Sequence, residues 1–111
     1  MITDKLPGRP WCYNSGPITG KSYLKAFNTF LRYDKVIRER IKMEPVNPMI
    51  HGLKSSRPYW LHIVYDLYLL LRCDAVAFQP EWEKSRGCRI EYKVAKMLGK
   101  NMIMMMKCVT E

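Results

Sequence analysis

Glu91 is the carboxylate whose place in the sequence most strongly indicates chemistry. The segment from Ser85 to Gly99 predicts a helix that ends at a glycine. At about 100° per residue, one face of this helix is basic: Arg86, Arg89, Lys93, Lys96 and Lys100. The opposite face is apolar: Ile90, Val94, Met97 and Leu98. Glu91 projects toward the apolar face, and because burial of an unpaired carboxylate is costly, it is expected to have a partner, a raised pKa or a catalytic role.

Asp66 is a second carboxylate in an apolar setting. It is the one acid in the segment 59–72, which is apolar nearly all round and therefore predicts a well-buried helix. His62 lies one turn before it, so one interpretation is a core hydrogen bond from Asp66 to His62 or to the backbone. The other interpretation is that Asp66 faces the same crevice as Glu91 and serves as a second acid.

Two further segments offer donors to an anion. The segment Gly16-Pro-Ile-Thr-Gly-Lys-Ser22 has three residues between its glycines, whereas the phosphate-binding P-loop needs four. A strand-to-helix turn that presents amides and a hydroxyl is therefore favoured over a true P-loop. Ser85 is the predicted N-cap of the Glu91 helix, and its hydroxyl, beside Lys84 and Arg86, is also suited to bind a phosphate.

The elements that position these residues alternate between strands and helices. Strands are predicted at 11–15, 42–47, 74–79 and 101–106, and helices at about 22–41, 59–72 and 85–99. This alternation predicts an α/β fold, a flavodoxin-like or Rossmann-like three-layer sandwich with a short, mostly parallel sheet of about four to five strands. Ligands bind such sheets at the carboxyl ends of the strands, which places the loops 15–21, 47–57 and 79–85 around the site.

Two residue patterns predict where individual strands lie in this sheet. Pro45 interrupts the second strand and favours an edge position, because proline cannot donate to a neighbouring strand. The fourth strand, Asn101–Met106, is apolar on both faces and is therefore predicted to be central.

The composition predicts one compact domain with an anionic partner. The chain has 111 residues, of which 48% are apolar and 26% charged, as is ordinary for a globular domain. The net charge of +9 favours nucleic acid, nucleotide phosphates or an acidic surface as a partner over a merely basic surface. The four cysteines have no metal-ligand spacing and are expected to be buried thiols, with no metal site and no cofactor.

Cellular location is predicted from the same composition. Unpaired thiols indicate a reducing compartment, and the N-terminus has no apolar signal-peptide core. The longest apolar stretch is too short to span a bilayer. A cytoplasmic protein without a membrane partner is therefore expected.

In their order along the chain, these motifs resemble the nucleoside 2-deoxyribosyltransferase-like superfamily. The similarity runs from roughly Trp11 to Met106 and predicts that residues 1–111 form a single domain of this kind. It is carried by four segments: Tyr13-Asn-Ser-Gly-Pro-Ile-Thr-Gly20, Asp66, Cys73-Asp-Ala-Val76 and Ser85-Arg-Gly-Cys-Arg-Ile-Glu91. The small bacterial and phage branch with GPxTG and SRGxxxE motifs is the most similar. Relatives of known chemistry include deoxyribosyltransferases and 2′-deoxynucleoside 5′-monophosphate N-glycosidases.

The resemblance implies a role for each matching residue. Glu91 would attack C1′ of the sugar, and Asp66 would assist proton transfer to the leaving base. The implied substrate-binding residues are Tyr13, Gly16, Ser85, Arg86 and Gly87. Ser85 stands where nucleotide-hydrolysing relatives contact the 5′-phosphate, which favours a nucleotide over a free nucleoside.

The leading hypothesis is thus a hydrolase or transferase that cleaves the N-glycosidic bond of a (deoxy)nucleoside 5′-monophosphate or related nucleotide. Family members share active sites across a dimer interface, so the resemblance also implies a homodimer or higher homo-oligomer. The alternative is a non-catalytic nucleotide-binding module, such as a sensor or a sequestering protein. A nucleic-acid partner is disfavoured because only the charge supports it.

Overall fold

Among the described residues, the sheet consists of four parallel strands in the order β2-β1-β3-β4. The computed structural model describes residues 10–18, 22–51 and 58–107. Its strands are β1 (Trp11–Ser15), β2 (Glu44–Val46), β3 (Ala75–Phe78) and β4 (Asn101–Met104). Its helices are α1 (Tyr23–Val36), α2 (Pro48–His51), α3 (Tyr59–Leu71) and α4 (Arg86–Met97). A π-helical turn, Ile37–Ile41, extends α1, and a 3-10 turn, Trp82–Lys84, precedes α4.

Alternation along the strands sends neighbouring side chains to two different helix layers. One face of the sheet packs against α3 and α4 through Trp11, Tyr13, Val76 and Phe78. The other face packs against α1 and the π-helical turn through Cys12, Ala75 and Ala77. Helices therefore cover both faces of a parallel sheet, and the predicted three-layer α/β fold is confirmed.

The two outer strands of the described sheet test the predictions of strand position. β2 lies at one edge, as Pro45 predicted. The prediction that β4 is central is wrong, because β4 pairs with β3 alone among the described strands and leaves Met104 49% exposed. The apolar character of this strand does not fix its place, because the crossover from β3 decides on which side of the sheet β4 lies.

The helix α3 is buried on only one side. Leu69 and Leu70 are buried against the sheet, whereas Trp60 is 65% exposed and Val64 is 55% exposed. The prediction of a well-buried helix is therefore wrong for the outer side. The sheet covers one side of a helix packed on it, and in this protein the opposite side is apolar as well.

The helix α4 presents a narrower face to the sheet than the apolar pattern predicted. Its buried residues are Cys88, Glu91 and Ala95, which recur at helical spacing. Met97 is 80% exposed and Leu98 is 46% exposed, so the prediction that they lie on the buried face is wrong. On this side of the helix Glu91 lies between the small side chains of Cys88 and Ala95.

The thiols and the helix lengths can be compared with the predictions of buried thiols and of no membrane-spanning helix. Cys12, Cys73 and Cys88 are free and buried, as predicted, and Cys108 lies outside the described residues. Among the described helices, none combines the length and the apolar character that a bilayer span requires.

Candidate functional site

The strands β1 and β3 meet where the strand order reverses. From β1 the chain passes to β2 on one side of the sheet, and it then returns to β3 on the other. In open α/β sheets such a point leaves a crevice at the carboxyl ends of the strands, where ligands bind. Ser15 ends β1 at these carboxyl ends, Gln79 follows β3, and Ser85 is the N-cap of α4.

The Glu91 carboxylate accepts hydrogen bonds from two hydroxyls of β1. Tyr13 Oη donates to Oε2 at 2.7 Å, and Ser15 Oγ donates to Oε1 at 2.7 Å. Because side chains alternate along a strand, Tyr13 and Ser15 lie on the same face of β1, the face that α4 covers. Glu91 is only 5% exposed, so the two hydroxyls supply the partners that a buried carboxylate requires.

Burial changes the protonation of Glu91 and of its tyrosine partner. It raises the pKa of Glu91 from the ordinary value of 4.5 to about 7, although the hydrogen bonds from Ser15 and Tyr13 counteract part of the rise. The pKa of Tyr13 is raised well above its ordinary value of 10, by burial first and by the negative charge of Glu91 next. Tyr13 therefore stays protonated and continues to donate when Glu91 ionises.

Asp66 projects from α3 toward the same site. Burial first, and then the negative charge of Glu91, raise the pKa of Asp66 from 3.8 to about 8. Asp66 thus retains its proton to higher pH than Glu91 does. The helices α3 and α4 bring together two carboxyl groups that interact, and near neutral pH the pair holds both an ionised and a protonated member.

Cys88 links Ser85 to this centre. Its backbone amide donates to the Ser85 hydroxyl at 3.3 Å, and its side chain lies one turn before Glu91 on the same side of α4. Burial, followed by the charge of Glu91, raises the pKa of Cys88 to about 11, so the thiol stays neutral and is a poor nucleophile. Neither Ser15 nor Cys88 is among the predicted site residues, although the spacings Tyr13-x-Ser15 and Cys88-x-x-Glu91 place both beside residues that are.

The remaining predicted site residues lie around this centre. The Ser85 hydroxyl caps α4 by accepting from the Cys88 amide at 3.3 Å, as predicted. On the first turn Arg86 is exposed and Gly87 is half-buried, and Gly16 is buried directly after Ser15. Thr19, Gly20, Lys21 and Arg57 lie outside the described residues.

A second buried polar cluster lies on the α1 side of the sheet. Asp34 accepts from Asn14 Nδ2 at 2.8 Å through Oδ1, and from Asn47 Nδ2 at 2.9 Å through Oδ2. Asn14 Oδ1 in turn accepts from Gln79 Nε2 at 2.8 Å. These four residues, called the polar network below, connect α1 to the carboxyl ends of β1, β2 and β3. No sequence pattern predicted them, since each comes from a different element.

Gly16 packs against the polar network, and Gly16→Ala is expected to destabilise the protein. A Cβ at this position would lie 2.2 Å from Gln79 Cδ and 2.3 Å from its Oε1. Gln79 is 1% exposed and donates to Asn14, so it cannot withdraw without losing that bond. We expect the free energy of unfolding to fall by about 2 kcal/mol, measured by urea denaturation.

A double-mutant cycle provides the control for this clash. In a Gln79→Ala background the opposing amide is gone, so Gly16→Ala should lower the free energy of unfolding by much less. An equal loss in both backgrounds would show that the amide of Gln79 is not the cause.

Glu91 should also make the protein less stable as the pH rises. Between its unfolded pKa near 4.5 and its folded pKa of about 7, the folded state holds a proton that the unfolded state has lost. The contribution of Glu91 to the free energy of unfolding is therefore fully present below about pH 4.5 and is lost as the pH rises to about 7. The full decline is on the order of 3 kcal/mol at about 1.4 kcal/mol per pKa unit, and Asp66 extends it toward pH 8.

Urea denaturation of the wild type and of Glu91→Gln across this pH range measures the decline. The variant has no group that titrates at position 91, so its stability should fall less between about pH 5 and about pH 8. Parallel curves for the two proteins would mean that Glu91 does not titrate with a raised pKa.

The side chains at the carboxyl ends of β1 and β3 that are suited to chemistry carry hydroxyl and carboxyl groups. Among the described residues, no group of three or more His, Cys, Asp or Glu side chains is arranged to hold a metal ion. The centre consists of the Glu91 carboxylate, its two hydroxyl donors and the Asp66 carboxyl. Such a set can orient one carboxylate for attack while it keeps a second carboxyl protonated.

Comparison with known proteins gives a family but no described activity. No curated protein and no solved structure matches the chain significantly. A family model matches residues 10–104, a range that includes the whole centre and the polar network. Because that range covers most of the 111 residues, the chain belongs to the DUF4406 family, whose description is a domain of unknown function.

Proposed function

We propose that the protein cleaves the N-glycosidic bond of a (deoxy)nucleoside 5′-monophosphate or related nucleotide, with Glu91 as the nucleophile. The observation that carries the proposal is the buried Glu91 carboxylate, held by Tyr13 and Ser15 at the strand reversal. Asp66, with its raised pKa, supplies the acid that such a reaction requires. The resemblance to nucleoside 2-deoxyribosyltransferase-like proteins involves the same residues and supports the same reaction.

In the first step, one Glu91 oxygen attacks C1′ while the bond between C1′ and the base nitrogen breaks. The transition state resembles an oxocarbenium ion, which the carboxylate stabilises before the ester between Glu91 and C1′ forms. The departing base takes the proton of Asp66. Tyr13 and Ser15 hold the carboxylate in place, so little reorganisation is needed at the moment of attack.

In the second step, water attacks C1′ and releases Glu91. The Asp66 carboxylate, which lost its proton in the first step, accepts one from this water. The products are the free base and the sugar 5-phosphate. If a second base replaces water, the same ester yields transfer, so hydrolysis and transfer share the first step.

The phosphate would lie at the N-terminus of α4. Ser85 caps this helix, and the exposed side chains of Lys84 and Arg86 lie beside the cap. Free amides at a helix N-terminus and neighbouring cations favour an anion. In this arrangement Gly16 and Gly87 provide backbone close to the ligand. The substrate is thus a small nucleotide, and no nucleic acid is required to account for the basic charge at this end.

A homo-oligomer in the cytoplasm belongs to the same proposal. The buried free thiols fit a reducing compartment. The relatives that the sequence resembles share their sites between subunits, which supports a homodimer or higher assembly.

The test is to incubate the protein with a panel of ribonucleoside and deoxyribonucleoside 5′-monophosphates and to measure the release of free base by chromatography. The matched nucleosides without the phosphate are the control, and we expect them to react more slowly. Release from none of the nucleotides would overturn the proposal. Faster reaction of the nucleosides would overturn the placement of the phosphate at α4 but not the role of Glu91.

A non-catalytic nucleotide-binding module is the second candidate, and the burial of Glu91 favours it. With 5% exposure and a hydroxyl on each oxygen, the carboxylate is suited to tie β1 to α4 without any chemistry. Such a sensor or sequestering module would bind a nucleoside monophosphate without releasing base. Titration calorimetry would then give the same affinity for the wild type and for Glu91→Gln.

A further inference from the structure

The two hydroxyls that hold the Glu91 carboxylate come from different positions along β1. Ser15 is the last residue of the strand, at the carboxyl ends where ligands bind such sheets. Tyr13 lies two residues earlier, about 7 Å along the strand, and is fully buried. Ser15 Oγ donates to Oε1, and Tyr13 Oη donates to Oε2. Oε1 is therefore the carboxylate oxygen bound by the residue at the crevice, and Oε2 is bound by a residue of the interior.

The two oxygens of Glu91 become chemically different once the ester with C1′ forms. The oxygen that attacks becomes the single-bonded ester oxygen, which is neutral and a poor hydrogen-bond acceptor. The other oxygen becomes a carbonyl oxygen, which still accepts. Hydrogen bonds to an ionised carboxylate are roughly twice as strong as neutral ones. A donor to the attacking oxygen thus loses most of its bond in the ester and regains it when the carboxylate is released.

We propose that Oε1 is the attacking oxygen and that the Ser15 hydroxyl is a catalytic group for the release of Glu91 from the ester. The inference rests on the proposed function. In the release step water attacks C1′, the bond between C1′ and Oε1 breaks, and its electron pair stays on Oε1. The proton of the water passes to the Asp66 carboxylate. The negative charge that develops on Oε1 is stabilised by the Ser15 hydroxyl, which already lies within hydrogen-bond distance of that atom in the free protein.

This role makes Ser15 act unequally on the two steps of the reaction. In the first step its bond to Oε1 is present in the free carboxylate and is largely kept in the oxocarbenium-like transition state, so it changes the barrier little. In the second step the bond is weak in the ester and strengthens in the transition state, so it lowers the barrier. A residue that only positions Glu91 for attack would instead accelerate the first step.

Ser15→Ala should therefore accumulate the ester on Glu91. The probe is the 2′-deoxynucleoside 5′-monophosphate of adenine, guanine, cytosine or thymine that the wild type cleaves fastest. Rapid mixing should give a burst of free base stoichiometric with the protein, at a rate within about threefold of the first turnover of the wild type. The steady rate that follows should be about 100-fold below that of the wild type, the usual loss for one donor to a developing charge. Mass spectrometry should find the sugar phosphate on the peptide that contains Glu91.

Ser15→Cys tests the donor without leaving a cavity, and it carries the test if Ser15→Ala does not fold by circular dichroism. The thiol is a weak donor of similar size, so the steady rate should lie between those of the wild type and Ser15→Ala. Glu91→Gln should give neither a burst nor a gain in mass. Glu83→Gln, which replaces an exposed acid on the turn before α4, should match the wild type in both phases.

The outcome for Tyr13→Phe distinguishes the two oxygens. Tyr13 donates to the oxygen that still accepts in the ester, so this variant should slow both steps and accumulate no ester. Accumulation in Tyr13→Phe but not in Ser15→Ala would assign the attack to Oε2 and overturn the proposal. Equal slowing of the burst and of the steady rate in Ser15→Ala, or the absence of a burst, would overturn it as well. In these cases the wild type still releases base, so the proposed function stands, whereas a wild type that releases none overturns both.

Discussion

Glu91→Gln is expected to lower the rate of base release from nucleoside 5′-monophosphates by at least about 1,000-fold. The glutamine amide keeps the shape of the side chain and can still accept from Tyr13. It is uncharged, however, and cannot form the ester with C1′. Because the nucleotide contacts are otherwise unchanged, the loss should fall on kcat rather than on KM. Initial rates at saturating nucleotide measure it.

Glu83→Gln is the matched control for this loss. Glu83 is an exposed acid on the turn before α4, and its replacement should change the rate by no more than about twofold. A Glu91→Gln protein that retains a tenth of the wild-type rate would rule out Glu91 as the nucleophile. The variant should also be more stable than the wild type near pH 8, since it buries no charge there. Lost activity together with gained stability cannot be explained by misfolding.

Asp34→Ala is expected to lower the free energy of unfolding by about 3 kcal/mol or more. Asp34 is 6% exposed, and its two oxygens accept from the amides of Asn14 and Asn47. The substitution removes both acceptors and leaves these buried donors without them. A buried donor that loses its acceptor costs more than an exposed one, which makes this loss larger than that of an ordinary polar contact. Urea denaturation at neutral pH measures the difference.

Glu39→Ala provides the comparison, because Glu39 is an exposed acid in the π-helical turn that extends α1. Its stability should stay within about 0.5 kcal/mol of the wild type. A loss for Asp34→Ala no greater than that of Glu39→Ala would mean that the polar network contributes little. The loss for Asp34→Asn should lie between those for Glu39→Ala and Asp34→Ala, since one side-chain oxygen remains to accept a hydrogen bond.

The polar network and the Glu91 centre lie on opposite faces of the same strand ends. Asn14 of β1 points to α1, while its neighbours Tyr13 and Ser15 point to α4. The carboxyl end of β1 is therefore held from both sides. This arrangement buries the strand end from which the chain continues to Gly16, a residue that belongs to the proposed substrate site.

Several parts of the site could be predicted from the sequence because they depend on local geometry. The limits of β1, the Ser85 cap and the exposed basic face of α4 follow from strand alternation, capping chemistry and helical periodicity. The burial of Glu91 follows from the same periodicity. The extent of the apolar face was predicted less well, because Met97 lies on the side of α4 away from the buried Cys88 and Ala95 and is 80% exposed.

The sequence by itself therefore determined the alternating α/β elements and the placement of Glu91 on the inner side of its helix. Only the tertiary structure decided that Glu91 meets Tyr13 and Ser15, which are 78 and 76 residues away in the chain. It also decided that β4 lies at an edge among the described strands and that Trp60 and Val64 on the outer side of α3 stay exposed. Local periodicity states which sides of an element are apolar, whereas the order of the strands decides which of those sides another element covers.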